Sequence, residues 1–286
     1  MGGGALVRRS LTVSVLVVML VATAPTLLGT AANAQTGAGG PGRLGWCELL
    51  THDSAAAAQF YAALFGWQLE SHASGKYRLV DNGAVVGGIT QISETTPELD
   101  ETTWLVGITV DDVGDSVDAA RRRGGKILAD VTRAKGGGEW AVVEDLQGAQ
   151  LLILSGGQEF DGGSGPGRWM WTELWTTDQE AAVTFYGEVV GWSLQDIEHP
   201  DGAYPAFFQG GEARAGLVPI AGERVGPGWA PYVGVTDLGA ILKRAIELGG
   251  QVLLEPNDET YGGRVAVLAD PTGVGFLAYE LEEVSE

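Results

Sequence analysis

The chain has 286 residues, 17 Lys+Arg against 37 Asp+Glu, a formal net charge of −20 and a single cysteine. So few cations exclude a protein that grips a nucleic-acid backbone or docks on anionic lipid by charge. The lone Cys47 excludes an internal disulfide, and three scattered histidines (His52, His72, His199) offer no histidine metal site.

In chain order, residues 1–34 read as a signal peptide. Arg8 and Arg9 form a basic start, 11–28 are uncharged and mostly apolar, and Ala32-Asn33-Ala34 supplies the small-x-small cleavage pattern before Gln35. An uncleaved anchor is the alternative, but Pro25 and the small residues after the apolar run favour cleavage. The expectation is a secreted or extracytoplasmic protein with no membrane attachment after cleavage. The first acidic residue is Glu48, so loss of Arg8 and Arg9 takes the charge to −22. Residues 35–45 read as a flexible lead-in.

A strand is predicted over 46–51. Asp53 is placed to cap a helix whose apolar positions are Ala57, Phe60, Tyr61, Leu64 and Phe65, and Gly66 is placed to end it. Short strands follow over 67–70, 77–80 and 84–91, with Asn82-Gly83 a hairpin turn. The plan then repeats as a strand over 104–110, a helix over 113–123 and strands over 126–131, 139–144 and 149–154. After a Gly-rich linker (156–170), the whole half recurs. WCELLTHDSAAAAQFYAALFGWQLE at 46–70 aligns without gaps to WTELWTTDQEAAVTFYGEVVGWSLQ at 171–195, an offset of 125, and Asp145 and Gly148 pair likewise with Asp270 and Gly273. The chain is thus two homologous domains, 46–155 and 171–281, each strand-helix-strand-strand-strand twice over.

Four βαβββ units in tandem, with D-x-x-x-A-x-x-F-Y-x-x-x-x-G-W in each half, resemble the vicinal oxygen chelate superfamily of glyoxalases, bleomycin-resistance proteins and extradiol dioxygenases. The W-x-E-L-x-T-x-D opening of each half looks like a two-domain actinobacterial glyoxalase-like subgroup. The resemblance implies an α+β fold of tandem glyoxalase-like domains, their units forming curved mixed sheets with open clefts. It also implies a divalent metal held by His, Gln or Glu. Carried over by position, those ligands fall on Trp46, Leu105 and Leu152 in the first half and on Trp171, Ala230 and Leu277 in the second, with Gln91 and Glu212 off centre. None of the six has an oxygen or nitrogen donor suited to such a cation, so the expectation is a protein without metal or other cofactor.

Glu48 and Glu173 stand out as candidate catalytic residues. Each lies two residues after a vacated ligand position, so strand alternation turns it to the cleft with Trp46 or Trp171. A carboxylate among tryptophans has a raised pKa and suits general acid–base work or ligand binding. The alternative is a structural carboxylate bonded to a Trp N–H, a Tyr hydroxyl or a neighbouring strand. Trp46, Trp104, Trp171 and Trp229 are the candidate ligand-binding residues, as apolar walls for a flat molecule, with core packing the competing role. Cys47 should face away from the cleft. The leading reading is an exported, metal-free binder of a small apolar or aromatic ligand, monomeric or homodimeric. Its rivals are a metal-independent lyase, isomerase or cyclase using a cleft glutamate, and a structural or antigen-like extracellular protein.

Overall fold

The computed structural model describes residues 40–93, 97–156, 160, 163, 165–198, 203–221, 226–257 and 261–282. The signal-peptide segment, residues 35–39 of the lead-in and His199 lie outside the described residues. No helix among them is long and apolar enough to cross a membrane.

The two tandem domains each contain an eight-stranded curved mixed sheet. In the first, β1 (Leu44–Thr51), α1 (Ser54–Phe65), β2 (Gln68–Ala73), β3 (Lys76–Asp81) and β4 (Ala84–Gln91) form one unit. β5 (Thr103–Thr109), α2 (Val113–Arg122), β6 (Lys126–Arg133), β7 (Glu139–Glu144) and β8 (Gln150–Ser155) form the second. The strand order is β2-β3-β4-β1-β5-β8-β7-β6, with β1 parallel to β4 and antiparallel to β5 at the centre. The second domain repeats it with β9 (Trp169–Thr176), α3 (Gln179–Val189), β10 (Ser193–Ile197), β11 (Tyr204–Gln209) and β12 (Glu212–Pro219), then β13 (Gly228–Val235), α4 (Leu238–Glu247), β14 (Gln251–Leu254), β15 (Val265–Ala269) and β16 (Gly275–Glu280), in the order β10-β11-β12-β9-β13-β16-β15-β14.

The local signals act as expected. The Asp53 carboxylate accepts from the Ala56 N–H at 3.0 Å, Gly66 ends α1 in the left-handed region, and Asn82-Gly83 turns with positive φ at both residues.

Both sheets turn their helix-bearing faces toward one shared core, and its contacts are reciprocal. Phe185 on α3 fits against Gly125 of the first domain, and Phe60 on α1 against Gly250 of the second. A methyl group on either glycine would stand 2.7–2.8 Å from the ring. The Tyr186 hydroxyl donates to Asp145 Oδ2 across the domains at 3.0 Å, and Tyr61 lies beside Asp270 in the mirrored position. The recurring Phe-Tyr pair therefore marks the surface on which one domain meets the other.

Two straps tighten this arrangement and move the expected boundaries. The sequence Pro-Gly-Arg occurs at 41–43 and again at 166–168. Gly42 and Arg43 bond to Thr109, and Gly167 and Arg168 bond to Gly234, so each segment extends its own domain's sheet. Each also reaches the other domain: Trp192 Nε1 donates to Gly42 O at 3.1 Å and Trp67 Nε1 to Gly167 O at 3.0 Å. Arg43 pairs with Glu212 at 2.6 Å and Arg168 with Asp81 at 2.9 Å. The end of the lead-in and the end of the linker are thus parts of the fold, and the second domain's first strand begins at Trp169.

Candidate functional site

Alternation along β1 sends Cys47 and Leu49 into the shared core and Trp46, Glu48 and Leu50 to the opposite, concave face. In register, Glu48 stands beside Leu105 on one side and Gly88 on the other, and Arg78 lies beyond Gly88 on β3. Trp46 Nε1 donates to Glu48 Oε2 at 2.7 Å, and Thr90 Oγ1 donates to Oε1 at 2.6 Å. Burial raises the Glu48 carboxyl above its ordinary value, opposed by those two hydrogen bonds and by the positive charge of Lys76. The group is nevertheless only half-buried, as are Trp46, Trp140 and Leu152 around it. Leu50, Leu105 and Val142 form the packed floor on the β5–β8–β7 side. Gly88 leaves room here: a methyl group at that position would overlap Glu48 Oε2 unless the carboxylate shifted from its bonds to Trp46 and Thr90.

The second concave face has the same plan and is filled. Glu173 is fully buried, accepting from the Tyr204 hydroxyl at 2.8 Å and from Trp175 Nε1 at 3.1 Å, while Trp171 Nε1 donates to the Tyr204 hydroxyl at 3.2 Å. Trp171, Tyr204, Tyr232 and Tyr279 pack in one cluster with Met170 and Leu277. At the offset of 125, Trp175, Tyr232 and Tyr279 replace Leu50, Gly107 and Leu154 of the first domain, while Trp140 there becomes Val265. The bulk gained near Glu173 is what closes this face.

Trp104 and Trp229 correct the expectation that they line the clefts. They point to the helix side, where Trp104 Nε1 donates to the Tyr61 hydroxyl at 3.1 Å and Trp229 Nε1 to that of Tyr186 at 3.2 Å. The strand phase explains this: β5 places Leu105 and Gly107 on the concave face, leaving Trp104, Val106 and Ile108 to the core. Trp171 does face its cleft but is fully buried there. His52 and His72 are exposed. Burial raises the Cys47 thiol well above its usual value, the Glu48 charge adding to the effect.

The donor set does not fit a divalent metal. Trp46, Leu105 and Leu152 do converge on the first concave face, but Glu48 is the one carboxylate beside them, and both its oxygens already accept protein hydrogen bonds. Among the described residues no group of three His, Cys, Asp or Glu side chains could hold a metal ion.

Sequence reasoning missed Tyr204 and Tyr232 as occupants of the second cleft and Lys76 and Arg78 beside the first. For Tyr232 the signal lay in the aligned repeat, where it replaces Gly107 at a cleft-facing position of the second half.

Comparison with known proteins places this geometry. The model of the glyoxalase/bleomycin resistance protein/dioxygenase superfamily matches residues 43–153 and 169–277. The chain is 31% identical over 241 residues to the "Putative glyoxylase CFP32" of Mycobacterium tuberculosis, covering 81% of this chain and 92% of that one. It is 32% identical over 264 residues to the anthracycline biosynthesis protein DnrV of Streptomyces peucetius, covering 85% and 94%. Among solved structures, a Mn(II)-bound glyoxalase from Novosphingobium aromaticivorans superposes with a TM-score of 0.58 at 16% identity, covering 86% of this chain and 84% of that one, a likeness of fold alone. The duplicated βαβββ architecture and the matches across both halves make this chain a member of the glyoxalase/bleomycin resistance protein/dioxygenase superfamily.

Proposed function

We propose that the protein is an exported, metal-free member of this superfamily that binds a small apolar or aromatic ligand in its first-domain cleft, with Glu48 as the polar contact. One observation carries the reading: the same glutamate recurs in both halves, sealed beneath aromatics in the second and left partly exposed in the first. Trp46 and Trp140 supply faces for a flat molecule, and Leu105, Val142 and Leu152 supply apolar floor. The relation to a protein of anthracycline biosynthesis agrees with a flat aromatic ligand. Export rests on the residue pattern of 1–34.

The raised pKa of Glu48 supports a second reading, a metal-independent enzyme in which this carboxyl acts as acid or base. Loss of turnover in Glu48→Gln with ligand affinity retained would select it.

Native mass spectrometry of protein purified from its own host tests the main reading. The expected result is a retained small molecule that is absent from Leu152→Trp, which fills the first cleft. A ligand-free wild type, or a ligand retained equally by Leu152→Trp, would overturn it.

A further inference from the structure

The first-domain cleft has two unlike walls. The β5–β8–β7 side is apolar, built of Leu105, Leu152, Val142 and Trp140. The opposite side carries two cations, with Glu70 of β2 in register beside one of them. Tyr77 and Leu79 of β3 pack into the shared core, so Lys76 and Arg78 project from the concave face on which Glu48 lies. Arg78 stands opposite Gly88, the residue that in turn stands beside Glu48, and Lys76 stands opposite Thr90, which bonds Glu48. Two strand spacings separate the Arg78 and Glu48 backbones, about 10 Å, and Gly88 between them carries no side chain.

The fold does not require these cations. In the second domain Ala206 stands opposite Gly216 as Arg78 stands opposite Gly88, and Tyr204 precedes it by two residues as Lys76 precedes Arg78. The duplicated scaffold therefore closes with alanine and tyrosine at those places. Among the described residues Arg78 has one loose partner, Glu70 at 3.8 Å, and both side chains are substantially exposed. In a chain of net charge −20, two cations on the first cleft's wall run against the overall field.

We infer that the ligand of the first-domain cleft is an acidic aromatic, its ring system against Trp46, Leu105 and Leu152 and its carboxylate or phenolate toward Arg78 and Lys76. This rests on the ligand-binding reading above and adds the sign of the ligand's charge. Glu48, held toward its neutral form by burial, opposes such a ligand less than an ordinary carboxylate would.

Calorimetric titration with a matched pair, 2-naphthoate and the neutral 2-naphthamide, tests it on the full mature chain, in wild type, Leu152→Trp and the double variant Lys76→Gln/Arg78→Gln. Both substituted cations lie on a partly exposed strand, so the fold is retained, which a thermal melt checks. The wild type should bind naphthoate at least about tenfold more tightly than naphthamide, and added salt should narrow the gap. The double variant should lose the preference while keeping its naphthamide affinity. Equal binding of the two probes by wild type, or a preference that survives in the double variant, overturns the charge inference and leaves ligand binding standing. If neither probe binds, or if Leu152→Trp binds both as wild type does, the ligand-binding reading fails and this inference with it.

Discussion

Glu48 and Glu173 show how one residue type takes two roles according to its neighbours. Because Glu48 holds its proton more tightly when folded, the stability it contributes is complete below the ordinary carboxylate range and is lost as pH rises through its raised value. Glu48→Gln should therefore melt with wild type at pH 3 and above it at pH 7, measured by calorimetry. Glu173→Ala should behave oppositely: it strands the Tyr204 hydroxyl and Trp175 Nε1, costing about 2–4 kcal/mol in denaturant unfolding. Alternation was enough to read from the sequence that both glutamates share a face with Trp46 and Trp171. It did not reveal that Tyr204 closes over Glu173, because that depends on the register of β11 and β12 against β9. The structural alternative for these residues, a carboxylate bonded to a Trp N–H, a Tyr hydroxyl or a neighbouring strand, describes the bonds of both: Trp175 and Tyr204 on Glu173, and Trp46 and Thr90 on Glu48.

Among elements, the central strands and the two helix caps were legible because each carries its own local signal: Asp53 before α1, Gly66 after it, and Asn82-Gly83 between β3 and β4. Trp104 and Trp229 were misplaced because a tryptophan on a strand says nothing of which face it takes until the phase of that strand is fixed by Val106 and Ile108 or by Val233 and Val235. Gly88 on β4 shows a constraint between elements, since its lack of a side chain gives the Glu48 carboxylate its place. Gly88→Ala should cost about 1–3 kcal/mol by overpacking and should weaken ligand binding in the first cleft, read by denaturant unfolding and titration of the same preparation.

At the scale of the molecule, the duplication is an interface as well as a repeat. The Phe-Tyr pairs, the Asp145 and Asp270 turns and the Pro-Gly-Arg straps all cross from one domain to the other. Phe185→Ala removes a ring seated against Gly125 of the first domain and should cost about 3–5 kcal/mol. Because the core is shared, calorimetry should still show one transition at a lower temperature, whereas two separated transitions would mean independent domains. The repeat itself was evident from the aligned residues, but the straps fell within stretches whose glycines resemble linker composition, and only the bonds of Gly42 and Gly167 reveal their role.

The duplicated fold carries two related concave faces, the second filled by its own aromatics and the first lined by partly exposed Trp46, Glu48, Trp140 and Leu152, so the stoichiometry of 2-naphthoate binding measured by titration calorimetry is the most direct test of the proposed binding site. The expected result is one molecule per chain, abolished by Leu152→Trp in the first domain and unaffected by Tyr232→Phe in the second. Two molecules per chain, or one that survives Leu152→Trp, would contradict it.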